Sequence, residues 1–339
     1  IVTTSSDNSW IAGFSNTGGL SLSWEAVGAG ITTQTGTGDF PIFDFSTNLS
    51  NLPITVTITS ADDFANTTGI TAPAKDITSV EISNLINLEE LELPNNSIST
   101  IDISSNVNLI KINVSTNLLT AIDFTPNTLL EEVYVYGNDI TSLSFLTNPA
   151  LRILDASNNE LTSLNVGANL ALETLDLSSN DLTTIDVSAN NALTVLDLDF
   201  NKLTTASINQ ILNDVNAYGT SNGELGLQGN PGTITKDGIV AYQSLLARGW
   251  TIRPPVSYDF GDALDTYTTS LTSGGPQHIN GARDIKLGLR VDTEVDAFVS
   301  ALGDGDDTNN IADEDGAVLA DFDGLITSTD NFSLEIDYT

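Results

Sequence analysis

The sequence predicts a mainly β chain: a β-sandwich-like N-terminal domain, a solenoid of 21-residue coils and a C-terminal Asp-rich β domain. Three observations predict it. Leu88, Leu109, Leu130, Leu151, Leu172 and Leu193 each fall 21 residues after the last. A second pattern moves in register with them, from Leu91-x-Leu93-x-x-Asn96-x-Ile98 to Leu196-x-Leu198-x-x-Asn201-x-Leu203. The flanking segments alternate apolar and polar residues in short runs punctuated by Gly and Pro, as half-buried strands do.

The repeated unit is L-x-x-L-x-L-x-x-N-x-L, the signature of a leucine-rich repeat. Each coil supplies one short strand whose Leu positions point inward and whose intervening residues face out. One coil cannot bury its own apolar face, so neighbours must stack. At ~4.8 Å per strand, six coils span roughly 29 Å. Asn96, Asn117, Asn138, Asn159, Asn180 and Asn201 are predicted to form an internal ladder, each side-chain amide satisfying backbone groups at the bend.

The second half of each repeat reads apolar, polar, apolar, as in Ile101-Asp102-Ile103 and Ile185-Asp186-Val187, which predicts a second extended segment on each coil. Val80-Glu81-Ile82 matches it one period earlier, so a degenerate coil starts near residue 67. Beyond Leu203 the period breaks. Ile208, Ile211, Leu212 and Val215 predict a helix, and Glu224 to Pro231 one last strand with its Asn. Thr235 is the expected cap of a second helix with Ile239, Tyr242, Leu245 and Leu246 on its apolar face. Arg248-Gly249 ends that helix and Trp250-Thr251-Ile252 closes the solenoid. These signals place the domains at residues 1–62, 63–253 and 254–339.

The first domain takes Trp10, Phe14, Leu20, Leu22, Trp24, Ile42, Phe43, Phe45, Leu52, Ile54, Val56 and Ile58 as its core. The last closes on Phe332 to Thr339, an alternating strand with no turn after it; with no Met anywhere, the chain reads as a processed piece of a longer secreted protein.

Forty-five acidic residues stand against 10 basic ones, for a net charge of −35. A nucleic-acid partner is excluded on charge, and anionic membrane surfaces are disfavoured. No apolar run approaches the ~20 residues that span a bilayer, so direct membrane insertion is not expected. The charge is read in two ways: attraction for cations and cationic surfaces, or solubility in salty water. There is no Cys, hence no disulfide or thiol chemistry. The one His, His278, has no nucleophile beside it, and neither a phosphate loop nor a zinc-protease motif occurs. Carboxylates are abundant but nothing singles out a catalytic pair, so no enzyme is expected.

Calcium is the expected cofactor. Hard cations need many oxygen ligands on a flexible loop. Asp304, Asp306, Asp307, Asp313 and Asp315 supply them within a dozen residues, and the bland alternative is a solvated acidic loop. The candidate partner site is a strip on the concave face. The residue between the two strand apolar positions is Tyr134, Asp155, Asp176 and Asp197 in successive coils, and two places on come Tyr136 and Asp199, with Phe200 following. Adjacent exposed Tyr offer contact area at low entropy cost; the alternative is that these residues merely coat the strands.

The repeat at 172–188, Leu-x-x-Leu-Asp-Leu-Ser-x-Asn-x-Leu-Thr-x-Ile-Asp-Val-Ser, resembles those of bacterial surface proteins of the internalin-like and BspA-like types. Asp259-Phe260-Gly261-Asp262, Val291 to Asp296, Gly305-Asp306-Asp307 and Asp313 to Gly316 resemble the GEVED-type domain of large adhesins. The resemblance implies an extracellular, cell-surface protein binding a protein or a surface glycan. A carbohydrate-binding accessory module of a polysaccharide-degrading system, or a structural spacer of a long surface protein, are the other readings.

Overall fold

The computed structural model describes residues 1–16, 22–60 and 64–255, and the backbone of one further strand pair, β18 (Tyr258–Asp259) with β19 (His278–Ile279). The chain divides into two compact units, 1–255 and 256–339. That division lies beside the predicted boundary at 253/254.

The N-terminal part of the first unit holds β1 (Val2–Thr3), β2 (Trp10–Ile11), β3 (Gly13–Asn16), β4 (Leu22–Gly28), β5 (Gln34–Thr37), β6 (Ile42–Phe43) and β7 (Ile54–Ser60). Then come β8 (Thr67–Thr71) and β9 (Ile77–Ser79). One sheet runs β5-β4-β7-β1-β9, and β2 pairs with β6. Alternation decides which residues enter the core: Leu22, Trp24 and Ala26 point in from β4, Ser23 and Glu25 out. Trp10, Phe14, Trp24, Phe43 and Phe45 are buried together, with Phe14 meeting Trp24 edge-on at 5.3 Å. Ile42 and Leu52, expected inside, are 68% and 39% exposed. Phe43 takes the inward side of β6, so the pleat turns Ile42 out. Leu20 lies outside the described residues.

Strand pairing crosses the position where the sequence ends the first domain. β3 pairs antiparallel with β8, and β1 with β9. β3 therefore covers the first edge of the solenoid sheet, while β9 is drawn into the N-terminal sheet beside β1. A parallel sheet this long needs such cover, because its end rung would otherwise present unpaired backbone.

The solenoid strands are β10 (Glu90–Glu92), β11 (Lys111–Asn113), β12 (Glu132–Tyr134), β13 (Ile153–Asp155), β14 (Thr174–Asp176) and β15 (Val195–Asp197). After helix α1 (Thr205–Ala217) come β16 (Glu224–Gly226), helix α2 (Ile239–Ala247) and β17 (Thr251–Arg253). From β8 to β17 the pairing is parallel and unshifted: Leu91, Ile112, Val133, Leu154, Leu175, Leu196, Leu225 and Ile252 lie side by side. Each strand is three residues long, the middle one buried and its neighbours largely half-buried.

The predicted Asn ladder forms. The Ile98 N–H donates to Asn117 Oδ1 (3.0 Å), and Asn117 Nδ2 donates to the Leu93 carbonyl of the preceding coil (3.0 Å) and to Val114 of its own (3.0 Å). Asn138, Asn159, Asn180 and Asn201 repeat this, and Asn230 ends the series by accepting from the Leu203 N–H (3.0 Å). Ahead of each ladder Asn sits one left-handed residue: Asn95, Thr116, Gly137, Asn158, Ser179, Phe200 and Gly229. That conformation costs β-branched Thr116 and bulky Phe200 roughly 1 kcal/mol each. Inter-coil bonds hold them there, Thr116 N–H to the Tyr136 carbonyl and Phe200 N–H to that of Gln228, both 2.7 Å.

The second extended segment does not become a second sheet. Residues 101–103 and their counterparts run into two successive turns without strand pairing. The reason is a second Asn ladder, which sequence reasoning missed. Asn106, Asn127, Asn148, Asn169 and Asn190 are fully buried at the same 21-residue interval. Asn127 Nδ2 donates to the carbonyls of Ile103 (3.1 Å) and Asn106 (2.8 Å) of the coil before, and each later Asn does likewise. These amides take the carbonyl at the end of the expected strand, that of Ile103 and its counterparts, and tie the coils there through side chains.

Both helices form. Thr204 caps α1, its Oγ1 accepting from the Ser207 N–H (3.2 Å). Thr235 is not the cap of α2, whose preceding residue is Gly238 with no side-chain cap. The Thr235 hydroxyl instead accepts from Asn209 Nδ2 (2.7 Å) of α1 and so ties the helices together. Of the four residues expected on the apolar face of α2, Leu245 is fully buried, alongside Ala241.

Replacing Asn138 by Ala would strand the buried Leu119 N–H and remove one of the two amides that donate to the Val114 carbonyl, leaving that of Asn117. Urea unfolding should report a loss of about 2 kcal/mol; a loss under about 0.5 kcal/mol, the ordinary scatter of surface substitutions, would contradict a structural role for the ladder.

Candidate interaction surface

The unshifted register sorts the outward residues of the concave sheet into three columns. The first runs Lys111, Glu132, Ile153, Thr174, Val195, Glu224; the second Asn113, Tyr134, Asp155, Asp176, Asp197, Gly226, Arg253. The third, two residues beyond the second, runs Ser115, Tyr136, Ser157, Ser178, Asp199, Gln228. Tyr134, Asp155, Asp176 and Asp197 thus share one column, and Tyr136 and Asp199 share the next. Phe200 does not join them. It occupies the left-handed corner, 57% exposed, and packs where a side chain on Gly229 would collide with its ring.

At the Tyr end the column is already partnered. Tyr134 donates to Glu132 Oε2 (3.2 Å), and Lys111 Nζ lies 5.8 Å from the centre of its ring. Lys111 pairs with Glu92 at 2.8 Å and Glu132 at 4.0 Å. The bond to Glu92 holds the Lys111 ammonium above its ordinary value, while burial, reinforced by Glu132, raises the Tyr134 hydroxyl. Tyr134 is thus braced against its neighbours, at little further entropy cost for a partner.

At the other end Arg253 lies across two Asp. Its Nη2 reaches Asp197 Oδ2 and its Nε reaches Asp199 Oδ2, both at 2.6 Å. Gly226 makes this possible: a Cβ there would meet Asp197, Asp199 and Arg253 atoms at 2.3–2.7 Å. Asp199 is nearly buried and also accepts the Gln228 N–H at 2.8 Å. Asp197 and Asp199 are therefore engaged within the chain. Sequence reasoning missed Arg253. The signal was present, since aligning Ile252 with Leu225 and Leu196 puts Arg253 in the Asp column.

Asp155 and Asp176 lie between. Asp155 Oδ1 accepts from the Ser157 N–H (3.1 Å) and hydroxyl (2.7 Å), and Asp176 Oδ1 from the Ser178 N–H (2.9 Å). No basic side chain among the described residues pairs with either. Burial pushes the Asp176 carboxyl up, and the flanking charges of Asp155 and Asp197 add to it against the Ser178 bonds. Among the described residues no group of three or more acidic or His side chains is arranged to hold a metal ion. Asp304, Asp306, Asp307, Asp313 and Asp315 lie outside the described residues. No helix among the described residues is long and apolar enough to cross a membrane.

A raised folded-state value means that ionised Asp176 opposes folding. The cost is in full force above that value, fades as pH falls through it, and is gone below the ordinary 3.8. Asp176→Asn keeps the Oδ1 acceptor and cannot ionise. It should melt higher than the parent at neutral pH, with the gap closing below pH 3.8. A variant that melts lower at neutral pH would show that the carboxylate is net stabilising.

Residues 171–191 match the Leucine Rich Repeat family. No curated protein matches the chain. Among solved structures, the functional domain of InlJ from Listeria monocytogenes, described as including a cysteine ladder, is 31% identical over 54% of this chain and 40% of its own, with a TM-score of 0.48. A leucine-rich-repeat protein of Leptospira interrogans is 21% identical over 53% and 52%, with a TM-score of 0.41. Internalin C2 from Listeria monocytogenes is 18% identical over 58% and 85%, with a TM-score of 0.48. The chain thus spans under two thirds of the first two; its own repeat and unshifted parallel register make a leucine-rich-repeat solenoid, a fold of interaction modules.

Proposed function

We propose that this chain is the binding segment of an extracellular cell-surface adhesin, non-catalytic, which engages a protein or surface glycan through the concave face of its solenoid. The observation that supports this is the concave sheet between Tyr134 and Asp176. Every backbone rung is paired, Tyr134 on β12 and Tyr136 two residues beyond it are half-buried, and two carboxylates beside them have no basic partner among the described residues. A preorganised surface loses little entropy on binding.

The test is capture from an array of host and bacterial surface proteins and glycans by the intact chain and by Tyr134→Ser/Tyr136→Ser. A genuine concave-face partner should lose about tenfold or more in affinity, as central aromatic anchors do. Undiminished capture by the double variant would sink the concave-face reading.

Calcium is the second element of the proposal, stabilising the unit after residue 255 through Asp304, Asp306, Asp307, Asp313 and Asp315. Thermal unfolding in millimolar calcium and after chelation, at fixed ionic strength, decides it. A metal present at 100 times its dissociation constant adds about 2.7 kcal/mol to the state that binds it. The expected upward shift should vanish in Asp304→Asn/Asp306→Asn; melting curves that superimpose with and without calcium would remove the metal from the proposal.

A further inference from the structure

The Asp column of the concave face already holds a guanidinium, and how it does so indicates what the rest of the column would accept. On β15, Asp197 Oδ1 takes the Asp199 N–H at 3.0 Å, which leaves Oδ2 directed to the Arg253 guanidinium at 2.6 Å. On β13 and β14 the same local arrangement recurs. Asp155 Oδ1 takes the Ser157 N–H and Asp176 Oδ1 the Ser178 N–H, and each Asp faces the concave side in line with Asp197. The difference is that Arg253, on β17, reaches the Asp of β15 and pairs with neither of those on β13 and β14. Adjacent rungs stand ~4.8 Å apart, so the two unpaired carboxylates repel each other and burial sharpens the repulsion. Ile153, Thr174 and Val195 run alongside as a half-buried, largely apolar column, which suits the methylene stem of a long basic side chain.

We propose that the concave face of β12–β15 docks an extended, arginine-bearing segment of a partner protein, one guanidinium bridging Asp155 and Asp176 across adjacent coils, where Arg253 bridges Asp197 and Asp199 within one coil. This rests on the concave-face reading and adds to it the chemistry of the partner. Arginine fits better than lysine because its planar fork can give parallel bonds to two carboxylates. The charge is complementary at short and long range, since the chain carries −35 overall and its own basic residues on this face, Lys111 and Arg253, are already paired.

The experiment is fluorescence anisotropy of a labelled Arg-Val-Arg-Val-Arg peptide, and of its citrulline counterpart, against the intact chain. Citrulline keeps the shape and removes the charge. The arginine peptide should bind, and the citrulline peptide should bind about tenfold or more weakly, because a charge-assisted bond is lost. Asp155→Asn/Asp176→Asn should weaken the arginine peptide by a similar factor. Asp102→Asn/Asp123→Asn removes the same two charges from the exposed turns of the other side and should leave binding within about twofold, since those charges are screened. Equal losses in both double variants would reduce the effect to net charge and overturn the proposal. So would no loss in the concave variant, or no binding of the arginine peptide. If citrulline binds as tightly as arginine and Tyr134→Ser/Tyr136→Ser weakens both, the cationic partner fails and the concave-face reading stands. If no concave variant alters any binding, both fail. Melting curves of each variant exclude unfolding as the cause.

Discussion

The structure depends on how a coil disposes of its buried backbone at the bends. A 21-residue coil must turn sharply while its interior stays dry, and the amide groups at the turn cannot reach water. Two Asn per coil solve this at two different corners. At the first, Asn117 and its equivalents act as acceptor and donor at once, so each amide joins its own coil to the one before. At the second, Asn127 and its equivalents donate twice to the preceding coil, while their Oδ1 atoms have no partner among the described residues. Because each of these amides bonds to a neighbouring coil, no coil is stable alone, and the register of one dictates that of the next.

That dictated register makes the concave face. With no shift between rungs, equivalent residues fall into straight columns, and a repeated Asp becomes a stack of charges on one line. The column would be costly if all its members faced solvent unpaired at strand spacing. The C-terminal cap relieves the last rung, because Gly226 leaves the space and Arg253 fills it. At the opposite end Lys111 does related work between Glu92 and Glu132 and steadies Tyr134. The charges left over are Asp155 and Asp176, at the middle of the sheet and beside its apolar column. The same columns that stabilise the ends leave the centre available to a partner.

Much of this was legible in the residues. The period, the strand positions, the first Asn ladder, α1 and the closing strand all followed from apolar spacing and turn chemistry, which are local signals. The second ladder was equally periodic, yet Asn106, Asn127 and Asn148 stand among Ser, Thr, Asn and Pro that look like an ordinary exposed loop. Burial, not composition, marks them. The second strand expected at residues 101–103 failed for the same reason, since the pattern apolar-polar-apolar does not say what its carbonyls will meet. Thr235 was misplaced because its hydroxyl had a choice of partners, and Asn209 of the neighbouring helix took it.

The sequence by itself determined the coil, because a 21-residue period of Leu and Asn has one way to bury both its apolar side chains and its bends. It also determined which residues share the concave columns, since period and pleat together leave no freedom in register. Only the tertiary structure decided which of those residues are occupied. Arg253 lies 54 and 56 residues from the carboxylates it holds, and β3 pairs with β8 to close the first rung. Pairing at such separations depends on how the ends of the stack close, and periodicity carries no information about an end.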